Sequence, residues 1–468
     1  MSECERAPVE RMEKEDGGWA WIVLVCSCVL GMSVRSYIGT FGLLYQEPLR
    51  QMETDTTDAA WLFNLCKALQ LLGGMCAGPA AAASSHRSVM TIGLFMQALG
   101  LFASAFAHSV LAHTFTFSIL VGFGGGLDFV SSYLNVNRHF NKRRGFAIGM
   151  YLSSLSIGHM LMPQLIEASM HLYASQGTMI LLAGIAIQMF PLVLLQSRPQ
   201  LPYSREILHV QTCDSDHDRL EAALDHEPPK HEQQPMKPKK HMRNAMTSID
   251  PWKQAAKKFF SSLDFSVMKE SMWWMLTITD SVFSLVLGNM GMILPLLATD
   301  RGFPEGSGAL LLTISGSTEL LSRLIVPPLT DIKKIDNRYL FMFWLFTVSI
   351  VPLGFALSES FSLTAVMSSF LGLGTGAIIG MPSLLLSFHF TASRLPSAMT
   401  FKLALKSLSF FVGPVVGILR DTTGNYNLLF YVFSASSFIT SGGWILYVVI
   451  GKKKRIEDQH ENEGKPSS

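Results

Sequence analysis

Charge is scarce in this sequence. Only 15% of its 468 residues are Asp, Glu, Lys or Arg, against about 25% in ordinary soluble domains. So low a fraction excludes an intrinsically disordered chain. A net charge of +2 supplies no global basic field, which excludes a basic nucleic-acid binder. Cysteine is scarce too. Cys4, Cys26, Cys28, Cys66, Cys76 and Cys213 form no paired metal motif, and the composition is not that of a disulfide-stapled secreted domain. No nucleophile constellation stands out either, so no enzyme and no metal site is expected.

What is present is apolar: 49% of residues are hydrophobic and the mean hydropathy is +0.31. A helix needs about 20 apolar residues to cross a bilayer. Twelve runs meet that measure, at about 19–44, 59–83, 88–107, 111–135, 145–167, 177–196, 271–298, 307–329, 339–357, 361–389, 397–419 and 427–450. Their internal Gly and Pro residues are tolerated where neighbouring helices re-satisfy the backbone. The first run is too long for a cleaved signal peptide, and the acidic Glu13, Glu15 and Asp16 precede it where a positive segment belongs.

Lys and Arg in the connections set the orientation. With the N-terminus cytoplasmic, the short inner segments carry Arg87, Arg138, Lys142, Arg143, Arg144, Lys333, Lys334, Arg338 and Arg394. The outer loops carry only Arg50, Arg301 and Arg420. Both termini are therefore expected in the cytoplasm. The organisation reads as a cytoplasmic tail (1–18), a six-helix bundle (19–196), a polar linker (197–270), a second six-helix bundle (271–450) and a cytoplasmic tail (451–468). The tract from His226 to Lys240 is rich in Pro, Lys, His and Gln. It cannot bury a core, and its irregular histidines suit a solvated linker better than a metal site. The fold class is thus an all-α membrane protein of twelve transmembrane helices in two six-helix bundles, the layout of the major facilitator fold.

Ionisable residues inside a bilayer are costly, and each is a functional candidate. The set is Arg35, Lys67, Asp128, Asp280, Glu319, Arg323, Lys402 and Lys406. Glu319 and Arg323 are four apart and share one helix face. An Arg fork also matches a carboxylate bidentately. A substrate carboxylate that claims Arg323 leaves Glu319 without its partner, ready to take a proton and cross with the anion as a neutral load. Arg35 is a second cationic candidate for the cavity. Asp128 follows a Gly-rich run and is expected to pair with Arg35 or Lys67. Lys402 is expected to snorkel to the inner surface. His159 and His389 read as satisfied core residues.

Two segments carry a family resemblance. Asp16-Gly17-Gly18-Trp19-Ala20-Trp21 resembles the signature that opens helix 1 of the monocarboxylate transporter family. His139 to Met150, with Lys142, Arg143, Arg144 and Gly149, resembles its second signature at the start of helix 5. Gly413, Pro414, Gly417, Asp421, Gly424 and Tyr426 resemble its helix 11–12 region, and the resemblance spans the chain outside the linker and tails. It implies transport of monocarboxylates or related small organic solutes, often proton-linked, across the plasma membrane. It also implies, for some members, a single-span immunoglobulin-like chaperone. Ungapped alignment puts the family's helix-1 lysine at Gly39, so that protonation step is missing from this chain.

The sequence thus points to a carrier for a small organic anion or zwitterion in the lipid bilayer. Arg323, Glu319, Arg35, Asp128 and Lys67 are its substrate-binding residues. No cofactor is expected beyond a proton as coupling ion. The alternative is a non-transporting sensor or scaffold that signals through the 197–270 loop.

Overall fold

The computed structural model describes residues 17–140, 142–196, 263–330, 337–391 and 394–463, with the side chains of Arg35, 327–328 and 449–463 outside that description. Asp16, most of the 197–270 linker and the side chains of the basic run 452–455 therefore lie outside the described residues.

The described chain is helical, as the apolar runs require. The helices are α1 (Gly18–Gly39), α2 (Thr56–Ala83) and α3 (His86–Ser104), then α4 (Val110–His139). A continuous stretch, Arg144–Leu195, loses its helical path at Ala174, where φ is 53° and ψ −178°. Its arms are α5 (144–173) and α6 (175–195). The second half holds α7 (Ser271–Asp300), α8 (Ser307–Thr330) and α9 (Asn337–Leu357). It continues with α10 (Phe361–His389), α11 (Leu395–Thr423) and α12 (Asn427–Glu463).

Among the described residues, ten helices are long and apolar enough to cross a membrane, with Arg144–Leu195 counted as one of 52 residues. That helix is the α5–α6 pair, which the sequence reads as two crossings. α2 falls short in apolarity, because Asp58, Asn64, Lys67 and Gln70 interrupt it.

Local chemistry explains the ends. The Ser85 hydroxyl accepts from the Ser88 N–H at 3.1 Å and the Ser360 hydroxyl from the Leu363 N–H at 3.3 Å, each capping a first turn. α11 ends on Gly424 at φ 72°, a left-handed position that glycine adopts without a Cβ penalty. The glycine run in α4 lets backbones meet: a Cβ on Gly126 would lie 2.0 Å from the Gln70 carbonyl oxygen of α2. Phe41, Tyr45, Phe63 and Phe117 fill the N-terminal half at the end distal to the chain termini, with ring centroids 4.6–5.7 Å apart.

The halves meet along two seams, α5 with α8 and α2 with α11. At the distal end the Asp421 carboxylate accepts from the Thr56 N–H at 3.1 Å, the Thr57 N–H at 2.9 Å and the Thr57 hydroxyl at 2.6 Å. It thereby caps α2 from the other half, where the helix dipole favours an anion. Gln46 donates to Thr299 at 2.8 Å. Deeper in, Asn64 and Asn289 exchange amide hydrogen bonds of 2.9 Å each.

Candidate functional site

The two charges four apart on α8 face α5. Arg323 Nη2 lies 2.6 Å from Glu319 Oε1, and the Glu319 side chain has no exposed surface. The second carboxylate oxygen, Oε2, lies 2.9 Å from Nδ1 of His159 on α5. Arg323 Nη1 donates to the Leu152 carbonyl, also on α5. A charged guanidinium, a carboxylate and an imidazole from opposite halves thus form one chain of charge-assisted hydrogen bonds. A low local dielectric strengthens each of them and makes an unpaired member costly.

Small residues permit this approach. A Cβ on Gly316 of α8 would lie 2.6 Å from the Met160 backbone nitrogen, so α8 reaches α5 only with glycine there. On the other side of the imidazole stands Gly39 of α1, where a Cβ would sit 3.3 Å from His159 Cδ2 and 3.7 Å from Nε2. The His159 ring therefore lies against the α1 position that lacks a side chain.

His159 is buried and satisfied, as its sequence suggests, but its partner makes it part of the site. A lone histidine in an apolar run gives no sign of a partner 160 positions away. The available signal was depth: His159 and Glu319 both fall near the middle of their helices.

A second charged cluster lies inside the C-terminal half. Asp280 of α7 holds Lys402 at 3.2 Å through Oδ2 and Lys406 at 3.0 Å through Oδ1. Lys402 Nζ also donates to the Ser383 hydroxyl at 3.0 Å. The expected snorkelling of Lys402 is thus corrected: its side chain is only 5% exposed, because a buried carboxylate offers more than the distant interface.

The other candidates separate. The Asp128 side chain is fully buried and makes no ion pair among the described residues, so the expected pairing with Lys67 is not formed. Asp128 Oδ1 accepts from the Ser132 hydroxyl at 3.3 Å. Lys67 Nζ instead lies 5.7 Å over the Phe63 ring, a cation–π geometry. The Arg35 side chain lies outside the described residues. His389 is corrected as well: it is 37% exposed and faces Glu270 at 3.6 Å, at the C-terminal end of α10 rather than in a core.

The two signature segments meet each other at the end of the bundle nearest the termini. The Trp21 ring packs edge-on against Phe140 at 5.5 Å and Phe146 at 6.2 Å. Lys142, Arg143 and Arg144 are exposed, and Arg144 Nε donates to Asn137 Oδ1. Gly17 precedes α1 in extended conformation, while Gly149 has open space beside it. These residues tie α1, α4 and α5 together.

Known proteins share this architecture. The sequence matches the Major Facilitator Superfamily over residues 23–343 and 276–467. Monocarboxylate transporter 4 of Gallus gallus is 24% identical over 456 residues, covering 96% of this chain and 86% of its own. Monocarboxylate transporter 13 of Rattus norvegicus is 22% identical, with coverage of 94% and 90%. Monocarboxylate transporter 6 of Mus musculus is 23% identical, with coverage of 96% and 91%. Among solved structures, the nucleoside transporter NupG matches with a TM-score of 0.68 at 12% identity, over 92% of this chain and 99% of its own. A POT family transporter in complex with 5-aminolevulinic acid matches at 0.69 and 11% identity, over 94% and 98%. At such identities these structures establish the fold alone.

Proposed function

Because the chain belongs to the Major Facilitator Superfamily, and is accordingly a membrane transporter and not an enzyme, we propose that it carries monocarboxylates or related small organic solutes by alternating access. The observation that carries this reading is the Arg323–Glu319–His159 chain across the α5–α8 seam. Arg323 is the carboxylate ligand. Its guanidinium stays protonated in any protein environment, so it offers a permanent fork to an anion. A substrate carboxylate that takes this fork from Glu319 leaves Glu319 with His159, and the proton that enters with the anion is shared by that pair. In a coupled pair the proton belongs to the unit and not to either residue. With Gly39 in place of a helix-1 lysine, the His159 imidazole packs against that position and meets Glu319. Arg35, Asp128 and Lys67 complete the proposed set.

The distal contacts of Asp421, Gln46 and Asn64 support a state closed at that end. With cytoplasmic termini, as the Lys and Arg distribution supports, this is a state closed to the outside. We place the carrier in the plasma membrane, with a single-span immunoglobulin-like chaperone as a candidate partner that co-expression and surface labelling test. No observation favours the sensor reading.

The test is substrate-driven proton movement into proteoliposomes, for the wild type and Glu319→Gln. Wild-type alkalinisation outside the vesicles with substrate entry, absent in the variant, supports the scheme. Equal proton movement in both removes Glu319 from it.

A further inference from the structure

We propose that Lys406 of α11 and the Ser281 hydroxyl of α7 form a second anion subsite, separate from Arg323, that takes a carboxylate. The subsite begins with an excess of charge. Asp280 is shared by Lys402 at 3.2 Å and Lys406 at 3.0 Å. Two ammonium groups on one carboxylate leave one positive charge unmatched. The Asp280, Lys402 and Lys406 side chains are 3%, 5% and 14% exposed, and a buried charge without a counterion is costly. An ammonium carries three N–H donors. Lys402 spends its donors on Asp280 and on the Ser383 hydroxyl. Among the described residues Asp280 is the one polar partner of the Lys406 ammonium. The other Lys406 donors are open to an incoming acceptor.

The α7 face beside these lysines carries further unmet donors. Trp273 donates to the Ala398 carbonyl of α11 at 3.0 Å, and a Cβ on Gly288 would lie 3.5 Å from the Phe410 ring. Together with Asp280, these contacts set one face of α7 against α11. Thr277 and Ser281, four apart, belong to that face. Both hydroxyls are buried without a partner. A mid-helix Ser or Thr commonly bonds its own preceding turn, as Thr279 does to the Met275 carbonyl at 2.6 Å. Thr277 and Ser281 do not. Unmet hydroxyls next to excess positive charge suit an anion, and a carboxylate is all acceptor. The subsite also borders the N-terminal half. Ser407 donates to the Ala68 carbonyl of α2 at 3.0 Å. Lys406 precedes Ser407 and Lys67 precedes Ala68, so a cation from each half stands at the same level of the α2–α11 seam.

The occupant comes from one of two sources. It is the far carboxylate of a dicarboxylate whose first carboxylate sits on Arg323, or a separate monocarboxylate. Either one neutralises the excess charge of the Asp280 cluster. Only the use of the subsite in transport rests on the carrier reading; the binding of a carboxylate there does not.

Thermal unfolding of the full-length protein in lipid nanodiscs, at constant ionic strength, reads the stabilisation that a bound ligand confers. The probes are butyrate and the straight-chain α,ω-dicarboxylates from succinate to suberate. Arg323→Ala removes the first carboxylate site and should still be stabilised by butyrate. Addition of Lys406→Met should raise the half-saturating butyrate concentration about tenfold or more, the scale of one charged hydrogen bond. Addition of Ser281→Ala, which leaves the Asp280 cluster whole, should raise it in the same direction. No butyrate response in Arg323→Ala overturns the proposal. So does a half-saturation that Lys406→Met leaves unchanged, or Ser281→Ala if the lysine variant does not fold. The dicarboxylates identify the source. A chain length that binds the wild type about tenfold or more tighter than butyrate, and loses that advantage in Lys406→Met, assigns the subsite to the second carboxylate of one substrate. No such length, with the Arg323→Ala response intact, assigns it to a separate monocarboxylate. Proteoliposomes in which the wild type moves no carboxylate contradict the transport reading, and the unfolding result still decides the subsite.

Discussion

His159 Nδ1 and Glu319 Oε2 lie 2.9 Å apart although they belong to opposite halves of the chain. The bond makes α5 and α8 mutually dependent, and it joins a fully buried carboxylate to an imidazole from the other half. Replacement of His159 by Ala removes a hydrogen bond to a charged group, worth roughly 1.5–3 kcal/mol, which corresponds to a fall in carboxylate uptake of about tenfold or more. Initial uptake rates, normalised to surface protein, measure it. Wild-type rates in this variant would remove His159 from the site.

Asp280 holds two lysines at once. Its replacement by Asn leaves two buried ammonium groups without a carboxylate, a change that costs about 3–5 kcal/mol where one partner of a buried pair is lost. A large drop in thermal stability is expected by fluorescence-detected size exclusion. Lys406→Met should be far milder, because Lys402 keeps its partner and the new side chain is apolar. Equal losses in the two variants would mean that the cluster is not organised around Asp280.

Ala174 occupies φ 53° and ψ −178°, a region that is nearly glycine-only and costs a residue with a Cβ about 1–3 kcal/mol. Ala174→Gly relieves that strain at the bend between α5 and α6. The variant should unfold at a higher temperature than the wild type, with unchanged transport. A lower melting temperature would place the bend elsewhere.

Outside the bilayer, hydrogen bonding from the Ser266 side chain and backbone, together with Arg394, holds the Asp264 carboxyl below the usual carboxylate range. The folded-state value is the lower one. The contribution is therefore complete above the ordinary carboxylate value of about 4 and is lost as pH falls through the folded value. Arg394 Nε lies 3.0 Å from Asp264 Oδ2, so the link between α11 and the segment before α7 should weaken only in strong acid. Hydrogen exchange at 263–270 as a function of pH measures this, and Asp264→Asn should abolish the acid dependence.

Much of this was legible in the sequence for a physical reason. Bilayer-length apolar runs announce themselves, and charges within them are few enough to name one by one. Glu319 and Arg323 were visible as a pair because helical spacing brings i and i+4 together. The partners of Asp280 and the link from Glu319 to His159 were not, because sequence spacing carries no information about contacts between helices. Lys402 was misread for the same reason: without sight of Asp280, the inner surface was the nearest place to put its charge. Gly39 shows both sides. Its lack of a side chain was plain in the sequence, while the imidazole packed against it emerged only from the fold.

The central claim is that Arg323 takes the substrate carboxylate at the α5–α8 seam. The most direct measurement is uptake of a panel of labelled monocarboxylates and aromatic amino acids into proteoliposomes by the wild type, Arg323→Lys and Arg323→Ala. The account predicts saturable wild-type uptake of carboxylates, a raised KM in Arg323→Lys, which keeps the charge but loses the planar fork, and no saturable uptake in Arg323→Ala. Equal uptake by the wild type and Arg323→Ala would contradict it.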